Sequence, residues 1–439
     1  MKQESFGSCD AGGQRCTCAV CPLLCEDIQL SPVDAQRACQ NGQTALLGAQ
    51  AAEASPHPEA WENGQPISRA LALDNAAATL LAARRVLVTG LADATLEAIT
   101  IACDLAETLG AAIDAGLPDS ARPAGPTIAR VGEVTAAWEE LRDRADLVVF
   151  WHCNPTASHP RFIERFVEPT LTSGLPRRTI AVGDGSVMPS GPMHGHLPLG
   201  RHLAVEAARC LQMRIAGRDV PANLAEPLAV LCDELYDAIH AATCVAIITD
   251  DAPDPVGLEA WSIVHLVRTT AHERPAFNIP LGAGMAGSGA DVAGAVAVCT
   301  WRYGAAGGIG RADRSGGRFL PAESTAHRLI ERGEVDAVLV VGRLSPSLEA
   351  AIAARAANIS VVRVCDAADA CPPAAGRSIQ FRTASTSLAT TGTMLREDGR
   401  RIVLTPCRPA TAPQMRDLLG DLAEVVQRLI VRPSAGERP

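Results

Sequence analysis

Short apolar runs built from Val, Ile and Leu recur along this chain, and most lead through a loop into a helix-like stretch. They lie at residues 86–90, 147–151, 179–183, 245–250, 336–342 and 360–365. Several end at Gly or Asp, which suits the turn from a strand into a helix. The helix after Gly90 is legible over 92–109, where Leu96, Ile99, Ile101, Leu105 and Leu109 recur with acidic residues between them. A second helix start lies at Ser345: serine caps, Pro346 takes the first helical position, and the helix is expected to run to about Ala357. Repeated strand–loop–helix units predict an α/β fold with mostly parallel sheets covered on both faces. Ligands then belong outside the carboxyl ends of the strands.

The chain has 439 residues, too many for one core, so about two to four domains are expected. Residues 51–66 are polar and proline-bearing and read as a linker. Residues 304–317 (GAAGGIGRADRSGG) are glycine-rich; a phosphate loop and a long surface loop both suit them, and no strand-then-helix frame surrounds them. A net charge of −10 with no long basic run argues against nucleic acid and anionic membranes as partners. No uncharged apolar run of about 18 residues occurs, so no transmembrane helix is expected. Residues 1–10 carry no apolar core of a signal peptide, and a cytoplasmic location is the default expectation.

The 15 cysteines are unevenly spread. Without a secretory signal they argue against a disulfide scaffold. Cys103, Cys153, Cys210, Cys232, Cys244, Cys299, Cys365, Cys371 and Cys407 are scattered singly and read as small buried hydrophobes. Cys9, Cys16, Cys18, Cys21, Cys25 and Cys39 crowd the N-terminus. Within them Cys18-x2-Cys21-x3-Cys25-x13-Cys39 is a spacing that can wrap a [4Fe–4S] cluster. A zinc-filled or vestigial loop is the other reading; zinc commonly uses two CxxC knuckles, and one is present.

Four stretches, in order and spacing, resemble one family. They are CAVCPLLCEDIQL with Cys39 downstream, RADLVVFWHCNPTASHPRF (144–162), GRFLPAESTAHRLIERGEVDAVLVVG (317–342) and TTGTMLREDGR (390–400). Together they resemble the B-type subunit of formylmethanofuran dehydrogenase, in the molybdopterin oxidoreductase superfamily, over roughly residues 15–430. The resemblance implies several Rossmann-like parallel-sheet domains behind a small Cys-rich N-terminal domain. It sets expected limits at 1–55 for the Cys-rich iron–sulfur-type domain and 56–205 for an α/β domain with the NP and HPR motifs. A second α/β region at 206–439 would hold the glycine-rich loop and the C-terminal segment. In that family the B-type subunit holds one [4Fe–4S] cluster and a tungsten or molybdenum ion on two pyranopterin guanine dinucleotides, and interconverts carbon dioxide and formate. Carried over, Cys18, Cys21, Cys25 and Cys39 are the possible cluster ligands. Asn154, Pro155, Gly392 and Thr393 are what remains of the pterin pocket.

The sequence departs from the family where the metal is anchored. The Cys-His-Gly-Pro-Ser-like segment corresponds to Asp119–Thr127, where Gly125-Pro126-Thr127 keep the tail but Pro123 and Ala124 replace the ligand and its histidine. No cysteine lies between Cys103 and Cys153, so the gap does not depend on the alignment. Asp119 and Ser120 carry oxygens but sit a few residues early. The family's WGxNP reads Trp151-His152-Cys153-Asn154-Pro155, with an imidazole where glycine lets backbone approach a phosphate. Its Asp-Pro strand end reads Gly342-Arg343-Leu344-Ser345-Pro346, and arginine cannot accept guanine's N–H donors. The molybdenum or tungsten bis(pyranopterin guanine dinucleotide) is therefore expected to be absent.

The departures place the chain nearer to the equivalent B-type subunit of a bacterial formyltransferase/hydrolase complex. That complex moves a formyl group from a tetrahydromethanopterin-type carrier to a methanofuran-type one and hydrolyses it to formate. The expected role is a non-redox structural subunit without catalytic residues of its own. Its partners would be the other members of the complex: an amidohydrolase-type subunit, a formyltransferase subunit, and the remaining C-type subunit. The alternative is an active formylmethanofuran dehydrogenase subunit that interconverts carbon dioxide and formate. A stand-alone thiamine-diphosphate or nucleotide-binding protein would need an intact phosphate fingerprint at a βα turn, and Gly90-Leu-Ala-Asp-Ala-Thr is not one. The retained His159-Pro160-Arg161 either lines an anion cavity or is structural, with Arg161 on a carboxylate such as Glu164 and His159 capping a helix. His194, His196 and His202 read as loop residues rather than a metal site. His152 beside Cys153 is not read as a base–thiol pair, because adjacent strand residues face opposite ways.

Overall fold

The computed structural model describes residues 13–54, 57–115, 131–221, 224–250, 257–282, 292–312, 317–320, 323–366 and 377–431. The N-terminal part supplies β1 (Gln14–Cys18), β2 (Cys25–Leu30), β3 (Ala35–Gln36), β4 (Ala60–Glu62), β5 (Gln65–Ile67), β6 (Val86–Gly90) and β7 (Ala112–Asp114). The middle supplies β8 (Leu147–Trp151), β9 (Arg178–Val182), β10 (Gly195–Leu197), β11 (Val245–Thr249) and β12 (Ala276–Pro280). The C-terminal part supplies β13 (Ala337–Val341), β14 (Ser360–Asp366), β15 (Ser378–Thr383), β16 (Gly392–Leu395) and β17 (Arg401–Leu404).

Two compact units result. Unit 1 comprises Met1–Gly116, Ser288–Arg396 and Arg401–Pro439; unit 2 comprises Leu117–Gly287 and Glu397–Arg400. Unit 2 is thus an insertion within unit 1. These limits cut the chain differently from segments ending at 55 and 205. The reason is that the sheet of unit 1 takes strands from both ends of the chain, which no local linker signal announces.

Unit 1 is built on a seven-stranded sheet ordered β5-β4-β15-β14-β13-β6-β7. Strands β15, β14, β13, β6 and β7 are parallel, with Ala337 opposite Val86 and Val341 opposite Gly90 at the centre. Every residue of β6 and β13 is buried, as a strand covered on both faces requires. Helix Leu96–Leu109 is capped by Thr95, whose side chain accepts from Ala98 N, and ends on Gly110 in the left-handed region. The predicted second helix is Pro346–Ala354, with the Ser345 side chain accepting from Leu348 N and proline in the first turn. Leu87, Val338, Val340, Leu348, Ile352 and Leu329 belong to one core cluster between the layers.

The Cys-rich stretch forms the antiparallel sheet β1-β2-β3 within unit 1. Ala19 and Leu24 share a buried cluster with Met394, Ile402 and Leu404 of the β16–β17 hairpin. The expected linker at 51–66 instead holds the β4–β5 hairpin, added antiparallel to β15. Its turn is Asn63-Gly64, both at positive φ (49° and 80°), the geometry of a two-residue hairpin loop.

Unit 2 holds a five-stranded, wholly parallel sheet ordered β10-β9-β8-β11-β12. Leu147, Val149, Ile180, Val182, Val245 and Ile247 from its strands join Leu211, Leu231, Leu235 and Leu266 from the helices in one core. The α/β reading with more than one parallel sheet therefore holds. Among the described residues no helix is long and apolar enough to cross a membrane.

The described residues of the glycine-rich stretch lie in antiparallel pairing on the edge of the unit 1 sheet, and residues 313–316 fall outside the described residues. Ile113 and Ile309 exchange both backbone hydrogen bonds (2.9 and 3.0 Å), and Ile309 in turn bridges Phe319. Asp114 anchors it: this buried carboxylate accepts from Gly308 N (2.8 Å) and from Ala326 N (2.9 Å), the first residue of helix Ala326–Glu331. Replacing it strands two buried donors. Asp114→Ala is expected to lower the unfolding free energy in urea by about 2–4 kcal/mol, and a loss below about 1 kcal/mol would show that Asp114 does not anchor the loop.

Candidate functional site

The four predicted cluster cysteines are brought into one neighbourhood. Cys18 and Cys25 face each other across the β1–β2 pair, next to an irregularity at Cys16/Cys18. Helix Gln40–Ala54 approaches through Gly42, where an added Cβ would meet Cys18 Sγ at 3.3 Å and Cys39 Sγ at 3.5 Å. Gly42 N also donates to Cys39 Sγ (3.4 Å). Cys18, Cys21 and Cys25 are buried and Cys39 half-buried. Burial, and beside it the Cys18, Cys25 and Cys39 thiols, pushes the Cys21 thiol up, while an N–H of Leu23 works against this. The donor set suits an iron–sulfur cluster in kind. Among the described residues, however, no group of three or more His, Cys, Asp or Glu side chains is assembled to hold a metal ion.

Of the scattered cysteines, Cys103, Cys153, Cys210, Cys232, Cys244, Cys299 and Cys407 are buried free thiols, as small hydrophobes should be. Cys365 differs: it is buried but disulfide-bonded. Cys9 and Cys371 lie outside the described residues, as does the Asp119–Thr127 segment.

Strand order places a switch point between β8 and β11 in unit 2, where a ligand would belong. At its mouth stands His152, at φ +49° and only 3% exposed. Its backbone N–H donates to Val182 O (2.8 Å), while its Nε2 has no hydrogen-bond partner. Burial first, then the Arg201 guanidinium, lowers its pKa to about 4, against weaker opposing pulls from Asp250 and Asp184. Arg201 is itself held by Asp250 (2.7 Å) and Glu259 (3.2 Å). The crevice mouth is thus occupied by a neutral imidazole and a neutralised guanidinium. Cys153 is fully buried with its thiol raised by burial, which is not the setting of a nucleophile.

In unit 1 the switch point lies between β6 and β13, and there the two turns are joined to each other. Leu91 N donates to Val341 O (2.6 Å), and Ala92 bridges Arg343 in antiparallel fashion. The approach is so close that a Cβ on Gly90 (φ +87°) would stand 2.6 Å from Val341 O, and one on Gly342 (φ +72°) would strike Ala92 O. Arg343 Nε lies 3.4 Å from the buried Asp93 carboxylate. Ala19, Leu46, Asp93, Arg343, Asp366 and Thr386 are among the residues lining a cavity of about 30 Å³ at this end of the sheet, room for a water or two.

The residues expected to line a pterin pocket are spent on the chain itself. Asn154 caps the short helix Pro155–Ser158, accepting from Thr156 N (3.0 Å), and donates to Met188 O (2.9 Å). Gly392 and Thr393 lie in unit 1, so the four do not share one unit. A Cβ on Gly392 would stand 2.8 Å from Glu97 Oε2, and Thr393 N donates to that oxygen (3.0 Å). Although burial opposes it, these donors and Thr95 hold the Glu97 carboxyl below its usual pKa. His159 follows Pro155–Ser158 as its C-terminal cap, and Arg161 pairs bidentately with Glu164 (3.0 and 2.7 Å). What the sequence does not announce is Glu397, which belongs to unit 2 and reaches His159 Nε2 (2.6 Å) and Gly282 N (2.5 Å). His194 meets Thr179, and His196 meets Gly183 O.

A guanine dinucleotide needs backbone open to its phosphates and a carboxylate free for its base. Among the described residues, the unit 1 crevice offers a zipped backbone and a carboxylate paired with Arg343. The unit 2 crevice offers His152 where backbone would have to approach. The described residues at these two crevices do not fit the group.

No family model matches the chain. It is 24% identical over 356 residues to the B-type subunit of the tungsten-containing formylmethanofuran dehydrogenase 2 of Methanocaldococcus jannaschii, spanning 73% of this chain and 77% of that one. The same-named protein of Methanococcus maripaludis is 27% identical over 158 residues, 34% of this chain and 36% of that one. Among solved structures it superposes with a TM-score of 0.67 and 19% identity on a chain of the formyltransferase/hydrolase complex of Methylorubrum extorquens, solved with methylofuran. The match covers 85% of this chain and 99% of that one. The chain thus resembles the B-type subunit of formylmethanofuran dehydrogenase in sequence and a chain of the Methylorubrum complex in fold.

His152 yields a signed prediction. The unfolded chain takes up a proton near the ordinary histidine pKa of 6.5, while the fold resists until about pH 4. Stability contributed by the neutral ring is therefore present above pH 6.5 and lost as pH falls toward 4, by up to about 3 kcal/mol. His152→Gly is expected to flatten urea-midpoint pH dependence in that window. An unchanged slope would mean that His152 does not stay neutral in the fold.

Proposed function

We propose that the chain is a non-redox structural subunit of a cytoplasmic formyltransferase/hydrolase complex of the formylmethanofuran dehydrogenase type. It would act in tetrahydromethanopterin-linked one-carbon oxidation to formate. The observation that carries this reading is the unit 1 switch point. There, Arg343–Asp93 and the hydrogen-bonded turns fill the place where the resemblance puts a guanine dinucleotide. His152 supports it from the second sheet. Formyl transfer and hydrolysis would then belong to the partners: an amidohydrolase-type subunit, a formyltransferase subunit, and the remaining C-type subunit. A scaffold needs only to hold a shape that those subunits dock on.

In this reading the four N-terminal cysteines carry a [4Fe–4S] cluster at most as a cross-link. The β1–β3 sheet has only three short strands, so a metal there would add to its stability. The second reading is an active redox subunit that interconverts carbon dioxide and formate. It draws support from that same Cys18, Cys21, Cys25, Cys39 set and from the tungsten in the relatives' names.

Metal counting on the complex, co-expressed with its partners and purified anaerobically, separates the two. Molybdenum and tungsten are expected well below stoichiometry, with formyl transfer and hydrolysis intact. One molybdenum or tungsten per chain would overturn the structural reading. If iron near four per chain is found, Cys21→Ser is expected to remove it and lower the melting temperature, leaving both activities in place.

A further inference from the structure

The glycine-rich hairpin has a feature that anchoring the sheet edge does not explain. Its first arm pairs with β7, and its second arm, around residues 317–320, is the outermost on that side of unit 1 among the described residues. Gly310 N donates to Arg318 O (2.8 Å) and Leu320 N to Gly308 O (3.0 Å), so the hydrogen bonds of Arg318 and Leu320 point inward. Backbone groups alternate along a strand, which leaves the N–H and C=O of Phe319 facing outward. Among the described residues they take no partner. Phe319 is 50% exposed, in a chain with only 3% aromatic residues.

Two exposed arginines lie on the hairpin, Arg318 on its outer arm and Arg311 on its inner one. Arg311 lies across the hairpin, its carbonyl accepting from Arg318 N (3.1 Å) and its guanidinium passing 3.6 Å from the place of a Gly110 Cβ. Arg311 and Arg318 are exposed, and neither makes an ion pair within the described residues. Proteins do place charge on open strand edges to keep them from pairing. A bare edge guarded that way does not also display a large aromatic side chain, because the exposed ring restores the stickiness that the charges remove. Open backbone, one aromatic side chain and unpaired cations on the same hairpin are the chemistry that strand addition uses.

We propose that the outer arm around Phe319 takes an extended, acidic segment of a protein partner by strand addition. Main-chain hydrogen bonds to Phe319 would supply register, the ring would supply the apolar anchor, and Arg311 and Arg318 would select carboxylates. The chain as a whole carries a net charge of −10, so its mean field disfavours an acidic segment and a local attraction to unpaired arginines is what would bind one. The inference does not depend on which complex the chain serves.

The test uses the full chain and two synthetic peptides of about eight residues, alternating valine with glutamate or with lysine. Binding is read by amide hydrogen exchange at 317–320 and by titration at low and high salt. The glutamate peptide is expected to slow exchange there saturably and to weaken as salt rises. An Arg311→Glu, Arg318→Glu double variant should bind it at least about tenfold less and bind the lysine peptide instead. Phe319→Ser should weaken both. Unchanged urea midpoints verify that the variants fold. If neither peptide slows exchange at 317–320, or if the double variant binds the glutamate peptide as well as the original chain does, the edge is merely guarded and the proposal is wrong. Failure of the chain to assemble with formyl-transferring subunits would instead count against the proposed function alone.

Discussion

The architecture depends on one pairing: β6 lies beside β13, Val86 against Ala337 through Gly90 against Val341. Between these two strands the chain makes all but a short piece of unit 2 and returns. Such a long excursion is tolerable because closure entropy grows slowly, about 0.6 kcal/mol for each doubling of loop length. The reward is a central strand pair that buries all ten of its residues. Because the pair is in register to its last residue, the two turns that follow must cross at once. Gly90 and Gly342 stand where they do because any side chain there would strike the opposing backbone.

The same register explains why the first switch point holds so little space. In an open α/β sheet, divergent helices leave a crevice where the strand order reverses. Here Leu91 and Ala92 are hydrogen-bonded to Val341 and Arg343, so the turns converge. Arg343 and Asp93 then lie across the remainder. Asp93 is buried while Arg343 is half-buried, and the guanidinium offsets part of the cost of burying the carboxylate. Unit 2 reaches a similar end by different means: a buried ring at positive φ occupies the mouth, beside an Arg201 held by Asp250 and Glu259. Two sheets, with different strand orders, close by unrelated local chemistry.

Much of this was legible in the sequence. The six apolar runs all become strands, because a continuous Val/Ile/Leu run has no face to offer water. Ser345 and Pro346 start their helix as their chemistry requires. Arg161 with Glu164 three residues on is a spacing that a helical turn brings together. The departures at His152 and Arg343 could be seen against the family, and both residues sit at strand ends. Other features were hidden. The inserted unit shows itself only in the pairing of strands, which return to the same sheet after a long detour. The Asn63-Gly64 turn was present as a hairpin signal inside a stretch whose polarity suggests a linker. Glu397 reaches His159 from far along the chain, and no spacing rule links them.

The glycines at 304–317 show why a motif needs its frame. A phosphate loop gathers glycines so that amide groups can turn toward an anion at a helix N-terminus. Here the anion is supplied by the protein: Asp114 takes Gly308 N with one oxygen and the first amide of a helix with the other. The loop satisfies the chemistry of anion binding with an internal carboxylate, and Gly310 and Gly317 allow close approach to Ser324 and to Ile309 and Tyr303. With Arg318 and Leu320 bonded inward, the arm keeps free backbone groups on the outer side at Phe319 among the described residues. That asymmetry follows from the anchoring, since a hairpin held rigidly along one edge must present the other.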